Sequence, residues 1–262
     1  MKRAQLLVNT LKPEAQYTAM KVADTLEKIG MVVTEKNPEV IISIGGDGTV
    51  LRAASIAARA DIPIVGINCG TLGYLNDIEP EETDLLQKLK TDDYTIDELM
   101  LLAVTLCRRN GTQEEFLVLN EVLFSRGASP RIADIHLYSD GVHVSDYSAD
   151  GLIFATPTGS TAYSLSAGGP IIHPSLESIT VTPVCPHPTA STRAIVFPGD
   201  SMLMVSAEVR GGENACITVD SAPPVDFCAG DYAVIRKSER HTKILRIKNR
   251  NFYSVVHKKF NI

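Results

Sequence analysis

The first 90 residues alternate short apolar runs with longer stretches in which apolar residues recur every three or four positions. Apolar runs at 4–9, 40–44 and 63–67 predict strands, and the periodic stretches at 13–29, 49–58 and 81–89 predict helices. Pro13 suits the first turn of its helix, and Gly30 suits the end of the same helix. Strands separated by helices favour a parallel sheet that is covered on both faces.

From residue 93 onward the pattern becomes β-rich. Asn110-Gly111 and Asp140-Gly141 are strong hairpin signals. Further short strands are predicted around 151–155, 194–197, 202–207, 216–220 and 232–236, with one helical insertion near Thr161. The sequence therefore predicts an α/β domain over 1–92 and an all-β domain over 93–240. A basic and aromatic C-terminal segment, 241–262, is expected to pack back onto the first domain.

The net charge and the cysteine pattern argue against several classes of protein. The formal net charge of −6 over 262 residues argues against a binder of nucleic acid or of an anionic membrane surface. No apolar run approaches the length of a membrane span, and no export signal is recognisable at the N-terminus. The five cysteines are scattered and never form a Cys-x-x-Cys pair, which is typical of reduced thiols in the cytoplasm.

The stretch Gly45-Gly46-Asp47-Gly48-Thr49 joins a predicted buried strand to a predicted helix. This geometry aims backbone N–H groups at an anion, yet it carries a carboxylate. Neither the dinucleotide fingerprint nor the P-loop fits its spacing. Two interpretations stay open: Asp47 caps the helix, or it accepts a proton from a hydroxyl that attacks a phosphoryl group.

Two further stretches carry polar groups at the ends of predicted strands. Asp150-Gly151 leads through a buried strand to a run of small and hydroxylic residues, 156–164, which suits a flat polar ligand such as a nucleotide and also suits helix capping. Asn120-Glu121 follows an apolar β run and could hydrogen-bond to the two hydroxyls of a ribose. Adjacent residues of a strand point to opposite faces, so one of the two could instead be an ordinary surface residue. Cys185 and His187 lie in a proline-rich turn without partner ligands elsewhere, so we expect no metal site there.

Taken together and in this order, these stretches resemble the NAD kinase family. The resemblance covers about 41–220, and Pro183 to His187 is a fainter match. It implies an N-terminal Rossmann-like α/β domain, a C-terminal β-sandwich domain and an active site between them. It also implies phosphorylation of the 2′-hydroxyl of the adenosine ribose of NAD to give NADP. The first stretch is shared with diacylglycerol-type lipid kinases, so a lipid kinase and a non-catalytic dinucleotide sensor are the alternatives.

The resemblance also implies roles for individual residues. Asp47 would be the catalytic base, and Mg²⁺ or another divalent cation would arrive with the donor, ATP or polyphosphate, rather than in a protein metal site. A homo-oligomer, dimer or tetramer, is expected. The residues that would bind the substrates are Gly45, Gly46, Gly48, Thr49, Arg52, Tyr74, Asn120, Glu121, Arg131, Ser148, Asp150, Thr161, Ala162, Tyr163, Ser164, Leu165, Ser166 and Cys185.

The sequence departs from the family pattern at three places. Ser148 stands where many members have a basic residue, and Ser221-Ala222 stand where Gly-Gln is common. Residues 188–192 look like an insertion. Fewer side-chain contacts to the dinucleotide would weaken its binding and leave phosphoryl transfer intact.

Overall fold

The computed structural model describes residues 1–70, 73–187, 193–248 and 251–260. The chain divides into two compact units: unit 1 comprises Met1–Leu99 and His241–Ile262, and unit 2 comprises Met100–Arg240. The sequence pattern changes at residue 92, whereas unit 1 extends to Leu99. The difference arises because one long strand, Thr95–Cys107, runs across the division.

Unit 1 is built on a parallel sheet. Its elements in chain order are β1 (Arg3–Val8), α1 (Pro13–Lys28), β2 (Val32–Val33), β3 (Val40–Gly45), α2 (Asp47–Ala60), β4 (Ile64–Asn68), a 3-10 turn (Thr83–Gln87) and α3 (Lys88–Thr91). The strand order is β2-β1-β3-β4, and every one of these pairs is parallel. This confirms the α/β class of the first domain.

The helices of unit 1 follow the apolar pattern. On α1 the buried residues are Ala15, Thr18, Val22 and Leu26, spaced three or four apart, so they form one face. Gly30 ends this helix with a φ of +71°, a conformation that glycine adopts without strain. The buried face of α2 consists largely of alanines, whose small side chains allow the helix to lie close to the strands.

Unit 2 contains two layers of antiparallel strands. Its strands are β5 (Thr95–Cys107), β6 (Gln113–Val118), β7 (Glu121–Ser125), β8 (Ala133–Ser139), β9 (Val142–Ala149), β10 (Gly151–Ala155), β11 (Ser178–Val184), β12 (Ile195–Pro198), β13 (Leu203–Val209), β14 (Ala215–Val219), β15 (Val225–Phe227) and β16 (Tyr232–Arg246). One layer has the order β12-β11-β10-β7-β14-β15, and the other contains β16-β13-β8-β9 and the β5–β6 hairpin. β5 and β16 also extend into unit 1.

A single core fills the space between the two layers of unit 2. Phe124 contacts Phe154 and Phe227 edge to face, with ring centroids 5.6 and 5.2 Å apart. Leu137 and Val205 face this cluster from the other layer. The arrangement confirms the β-sandwich, which is the second half of the expected fold class.

Several elements differ in extent from the sequence pattern. The helix expected over 81–89 is a 3-10 turn followed by the short helix α3, and the insertion near Thr161 is a 3-10 turn (Gly159–Thr161) followed by α4 (Tyr163–Ser166). β16 continues to Arg246, well beyond the expected 236. A last helix, α5 (Phe252–Phe260), lies in the C-terminal segment. Strand β11 was not expected, since Ser, Thr and Pro interrupt its apolar residues.

Candidate active site

The glycine-rich turn of unit 1 lies where β3 meets α2. Gly46 is the N-cap of α2 and Asp47 is its first helical residue, and no side chain caps this helix. A Cβ on Gly45 would lie 2.2 Å from Thr49 Oγ1, so only glycine allows the strand and helix to meet here. Among the described residues, none lies within 4 Å of a Cβ placed on Gly46 or Gly48. The start of the helix is therefore open on the side of these two glycines.

The Asp47 carboxylate faces a loop, residues 73–77, that we call the Asp47-binding loop. Oδ2 accepts the Tyr74 N–H at 2.8 Å, and Oδ1 accepts the Leu75 N–H at 3.2 Å and Asn76 Nδ2 at 2.8 Å. A Cβ on Gly73 would lie 2.0 Å from Asp47 Oδ1. The carboxylate is thus held by a neighbouring loop, and the capping interpretation is wrong.

Other predicted residues of unit 1 surround this turn. Thr49 is 2 % exposed and Arg52 is exposed on α2. The Tyr74 ring lies against Phe252 and Phe260 of α5, with the Lys259 ammonium 4.5 Å from its centroid. Burial, and secondarily the Asp47 charge, raise the pKa of Tyr74 to about 12, so its phenol stays neutral.

In unit 2, the Asn120-Glu121 pair is held through its backbone. The carboxylate of Asp220 accepts the N–H groups of Leu119, Asn120 and Glu121 at 3.0, 2.8 and 3.2 Å, and the Asp220 N–H donates to the Glu121 carbonyl at 2.9 Å. Thr156 contributes its N–H to the Asn120 carbonyl and its hydroxyl to the Leu119 carbonyl. These bonds hold the backbone from which both side chains project, at the bend between β6 and β7.

Glu121 is half-buried beside a second carboxylate. Burial, with the Asp220 charge second, raises the pKa of Glu121 to about 8. Burial also raises the pKa of Asp220, against the effect of its three N–H donors. Glu121 Oε2 is buried and receives no hydrogen bond from any residue that the structure describes. At neutral pH the side chain is therefore a carboxylic acid that can donate a hydrogen bond.

The hydroxyl-rich segment packs against this pair. A Cβ on Gly159 would lie 2.0 Å from the Asn120 carbonyl oxygen, and the Tyr163 N–H donates to the Glu121 carboxyl group. Ser160 Oγ donates to the Pro157 carbonyl, and Ser164 Oγ is 2.9 Å from Thr182 Oγ1. The segment 161–166 thus adjoins the Asn120-Glu121 pair. The Ser160 and Ser164 hydroxyls bond within the protein, whereas the Thr156 hydroxyl accepts the Gly159 N–H at the start of the 3-10 turn.

The remaining predicted residues lie at the other end of β10. The Asp150 N–H donates to the Val184 carbonyl, next to Cys185, and Arg126 Nε donates to Asp150 Oδ1 at 2.6 Å. Arg131 precedes β8, which pairs with β9 at Ala133 and Ala149. Asp150 and Thr156 are six residue steps apart along an extended strand, roughly 20 Å. Unit 2 therefore contains two neighbourhoods of predicted residues, one at each end of this strand.

A basic side chain from the turn after β13 reaches position 148. Ser148 Oγ donates to Asp134 Oδ1 at 2.6 Å and accepts Arg210 Nη2 at 3.1 Å. Arg210 also forms a two-bond ion pair with Asp134, both bonds 2.8 Å long. Ala222, which also departs from the family pattern, donates its N–H to the Val219 carbonyl. The possible insertion, 188–192, lies outside the described residues.

The described residues contain no cluster of metal ligands and no membrane-spanning helix. Within residues 1–70, 73–187, 193–248 and 251–260, no three His, Cys, Asp or Glu side chains come together as metal ligands. His136 and His143 share Asp146 Oδ1, at 2.7 and 2.8 Å. No helix in the described part of the chain has the length and hydropathy of a membrane span.

Comparison with known proteins gives the same family for both units. The family model of the ATP-NAD kinase N-terminal domain matches residues 33–94, and that of the C-terminal domain matches residues 119–247. The NAD kinase of Carboxydothermus hydrogenoformans is 36% identical over 255 residues, which cover 97% of this chain and 88% of the relative. The chain belongs to the NAD kinase family. The NAD kinase of Geobacter sulfurreducens is 34% identical over 281 residues, which cover 99% of this chain and 98% of the relative.

Solved structures agree with the family. An NAD kinase from Archaeoglobus fulgidus, crystallised with ATP, has a TM-score of 0.78 at 28% identity and covers 97% of this chain and 98% of its own. A yeast NADH kinase complexed with NADH has a TM-score of 0.91 and covers 100% of this chain and 88% of its own. At 20% identity this structure shows the fold alone. The protein is therefore an NAD kinase, an enzyme that phosphorylates NAD to NADP, and the lipid kinase and sensor alternatives are not supported.

Sequence reasoning missed several residues that hold the predicted site residues in place. Asp220 and Thr156 hold the backbone of Asn120-Glu121, and Asn76 binds the Asp47 carboxylate. Asp220 and its partners are about a hundred residues apart in the sequence, so no local sequence pattern indicates these contacts. An acid that directly follows a buried strand, as Asp220 follows β14, is the signal that could have drawn attention to it.

Proposed function

We propose that this NAD kinase transfers the terminal phosphoryl group of ATP to the 2′-hydroxyl of the adenosine ribose of NAD, with Asp47 as the general base. The hydrogen bonding of the Asp47 carboxylate is the observation that carries this role. A carboxylate has about four lone-pair sites. Two donors use Oδ1 and one uses Oδ2, which leaves one site on Oδ2 that no described residue occupies.

The proposed step moves one proton and one phosphoryl group. Asp47 Oδ2 accepts the proton of the 2′-hydroxyl while the ribose oxygen forms a bond to the terminal phosphorus. The bond from that phosphorus to the bridging oxygen breaks, and ADP leaves with the electron pair. The open N-terminus of α2 favours the negative charge of the donor phosphates, and Gly46 and Gly48 leave room for them.

The dinucleotide is proposed to bind through both neighbourhoods of unit 2 and through Tyr74. Glu121 is a carboxylic acid at neutral pH, so it suits a hydrogen-bond acceptor on the substrate. The Asn120 side-chain amide has a hydrogen-bond donor and an acceptor, so it can bind two adjacent ribose hydroxyls. The other proposed contacts come from Arg131, Ser148, Asp150, Cys185 and the segment 161–166.

The donor is proposed to enter as a complex of ATP with Mg²⁺ or another divalent cation. The cation neutralises charge on the phosphates, and the described residues offer no group of three ligands for a resident ion. ATP is supported by the archaeal relative that was crystallised with it. Polyphosphate as a second donor, a homo-oligomeric state and a cytoplasmic location remain predictions from the sequence.

Phosphorus NMR of the product tests the proposal. Purified enzyme is incubated with NAD, Mg²⁺ and either ATP or polyphosphate, and a parallel sample contains a chelator in excess over Mg²⁺. We expect a new 2′-phosphate monoester resonance with ATP and none in the chelated sample. Phosphorylation at another hydroxyl, or full turnover in the chelated sample, would contradict the proposed chemistry.

A further inference from the structure

The peptide group between Tyr74 and Leu75 is bonded at both ends. Its N–H, that of Leu75, donates to Asp47 Oδ1 at 3.2 Å. Its carbonyl oxygen, that of Tyr74, accepts Arg246 Nη2 at 3.4 Å, and the next carbonyl, that of Leu75, accepts Arg246 Nη1 at 3.2 Å. A single peptide group therefore lies between the Arg246 guanidinium and the Asp47 carboxylate.

Arg246 is held in this position by its own partners. Its Nε donates to Asp97 Oδ2 at 2.8 Å, and its side chain is 14% exposed. The two residues that follow it are tied to the same loop, because the N–H groups of Ile247 and Lys248 both donate to Asp77 Oδ2 at 2.8 Å. The end of β16 and the Asp47-binding loop are thus joined by four hydrogen bonds, and a fifth joins Arg246 to Asp97 on β5.

The charges at the two ends match the peptide dipole. A cation at the carbonyl end and an anion at the N–H end both polarise the group in the same direction, which strengthens the N–H bond to Asp47. The same contact keeps the Tyr74 and Leu75 N–H groups turned toward the carboxylate. Without the guanidinium, two carbonyls would lose a charged donor and the peptide could rotate.

We propose that Arg246 is a positioning residue for phosphoryl transfer, acting on Asp47 through the Tyr74–Leu75 peptide group. This inference rests on the proposed role of Asp47 as the base. Arg246 does not touch the substrate; it keeps the carboxylate oriented so that Oδ2 faces the hydroxyl. Arginine suits the task because its planar group reaches two carbonyls and a carboxylate at once, whereas lysine offers one compact charge.

Steady-state kinetics of position 246 test the inference. Arg246→Gln should lower kcat roughly 10-fold to 100-fold, by analogy with groups that orient the ligands of a metal ion. Arg246→Lys should recover part of that loss. Lys248→Gln is the matched control: Lys248 pairs with Glu82 through its side chain, and the variant should change kcat less than about two-fold, as for a half-exposed ion pair. Equal losses in the Gln variants at 246 and 248 would overturn the inference.

A double-mutant cycle separates the inference from the proposed function. In an Asp47→Asn background, Arg246→Gln should have little further effect on the residual kcat, because the group it positions is gone. If Arg246→Gln costs the same factor in both backgrounds, Arg246 does not act through Asp47 and the inference fails. If Asp47→Asn itself retains full activity, the proposed function fails instead.

A milder variant covers the case in which Arg246→Gln does not fold. Asp97→Asn removes the charged partner of Arg246 Nε at a side chain that is 49% exposed, so the fold should survive. We expect a smaller drop in kcat than for position 246, and we expect this drop to vanish in the Asp47→Asn background. An Asp97→Asn enzyme with unchanged kcat would contradict the positioning role.

Discussion

At the scale of single residues, Asp47 illustrates how a sequence motif can be chemically ambiguous. An acid among glycines at the start of a helix could be a cap or a base. The structure gives the N-cap position to Gly46 and directs the Asp47 carboxylate to three donors of the 73–77 loop. The sequence could not reveal this, because the loop begins 26 residues after Asp47.

Asp47→Asn should abolish most activity and also loosen the loop. Loss of a general base typically costs ~10² to 10⁴ in rate. The new amide would turn an N–H₂ group toward at least one of the three donors, and an unsatisfied buried donor costs about 1–3 kcal/mol. We therefore expect a lower kcat together with a lower midpoint of thermal unfolding, measured by coupled assay and calorimetry.

Asp61→Asn is the control for that experiment. Asp61 follows the same helix, is mostly exposed and pairs with Lys243 at 2.6 Å. Such a surface ion pair is worth about 0–1 kcal/mol, so both kcat and the unfolding midpoint should stay close to the wild type. Wild-type kcat in the Asp47 variant would show that this carboxylate is not the base.

Glu121 gives a second prediction, on the pH dependence of stability. Burial and the Asp220 charge raise its folded-state pKa to about 8, above its unfolded value of 4.5. Between these values the folded state holds a proton that the unfolded state has lost, so the free energy of unfolding falls as pH rises. The slope from this one group is at most about 1.4 kcal/mol per pH unit.

Glu121→Gln should remove this contribution, since glutamine does not titrate. Denaturant unfolding between pH 5 and pH 9 should show the variant gaining stability relative to the wild type as pH increases toward 8. The exposed Glu115→Gln on β6 serves as the matched control and should follow the wild-type curve. Parallel curves for the wild type and Glu121→Gln would mean that Glu121 is ionised in the folded protein.

At the scale of elements, the sequence pattern predicted most strands, but it did not predict the contacts that orient them. The parallel sheet of unit 1 followed from alternation of apolar runs with periodic stretches, and Asn110-Gly111 and Asp140-Gly141 both form the turns of hairpins. The continuation of β16 to Arg246 was missed because charged residues fill its second half. That missed half carries Arg246, the residue proposed to position Asp47.

Gly159→Ala tests whether the hydroxyl-rich turn must lie against Asn120. The new Cβ would fall 2.0 Å from the Asn120 carbonyl oxygen, and overpacking of this kind costs about 1–3 kcal/mol. Moving Asn120 should also raise the KM for NAD. Gly141→Ala, at an open hairpin turn with φ +81°, should destabilise the protein by about 1–2 kcal/mol through backbone strain alone.

The KM for NAD distinguishes these two glycine variants. We expect it to increase in Gly159→Ala and to stay at the wild-type value in Gly141→Ala, measured at a temperature where both remain folded. An unchanged KM in Gly159→Ala would indicate that the Asn120 side chain does not bind the dinucleotide.

At the scale of the whole molecule, the order of motifs predicted more than any single motif did. The Gly45–Thr49 stretch alone fits lipid kinases as well, and Asn120-Glu121 alone is a weak signal; their succession identified the family that both domain models match. Sequence could not show how the motifs are supported. Asp220 lies 100 residues from Asn120, and Asp77 lies 170 residues from Ile247. Folding alone brings such groups together.

The proposed role of Asp47 in this NAD kinase is to direct phosphoryl transfer to NAD. The most direct measurement follows radiolabelled phosphate from ATP in one mixture containing Mg²⁺, NAD and dispersed diacylglycerol, with the wild type and the Asp47→Asn variant side by side. The label should appear in NADP with the wild type, should fall by ~10² or more with the variant, and should stay absent from lipid. Label in phosphatidic acid, or equal labelling of NADP by both proteins, would contradict the claim.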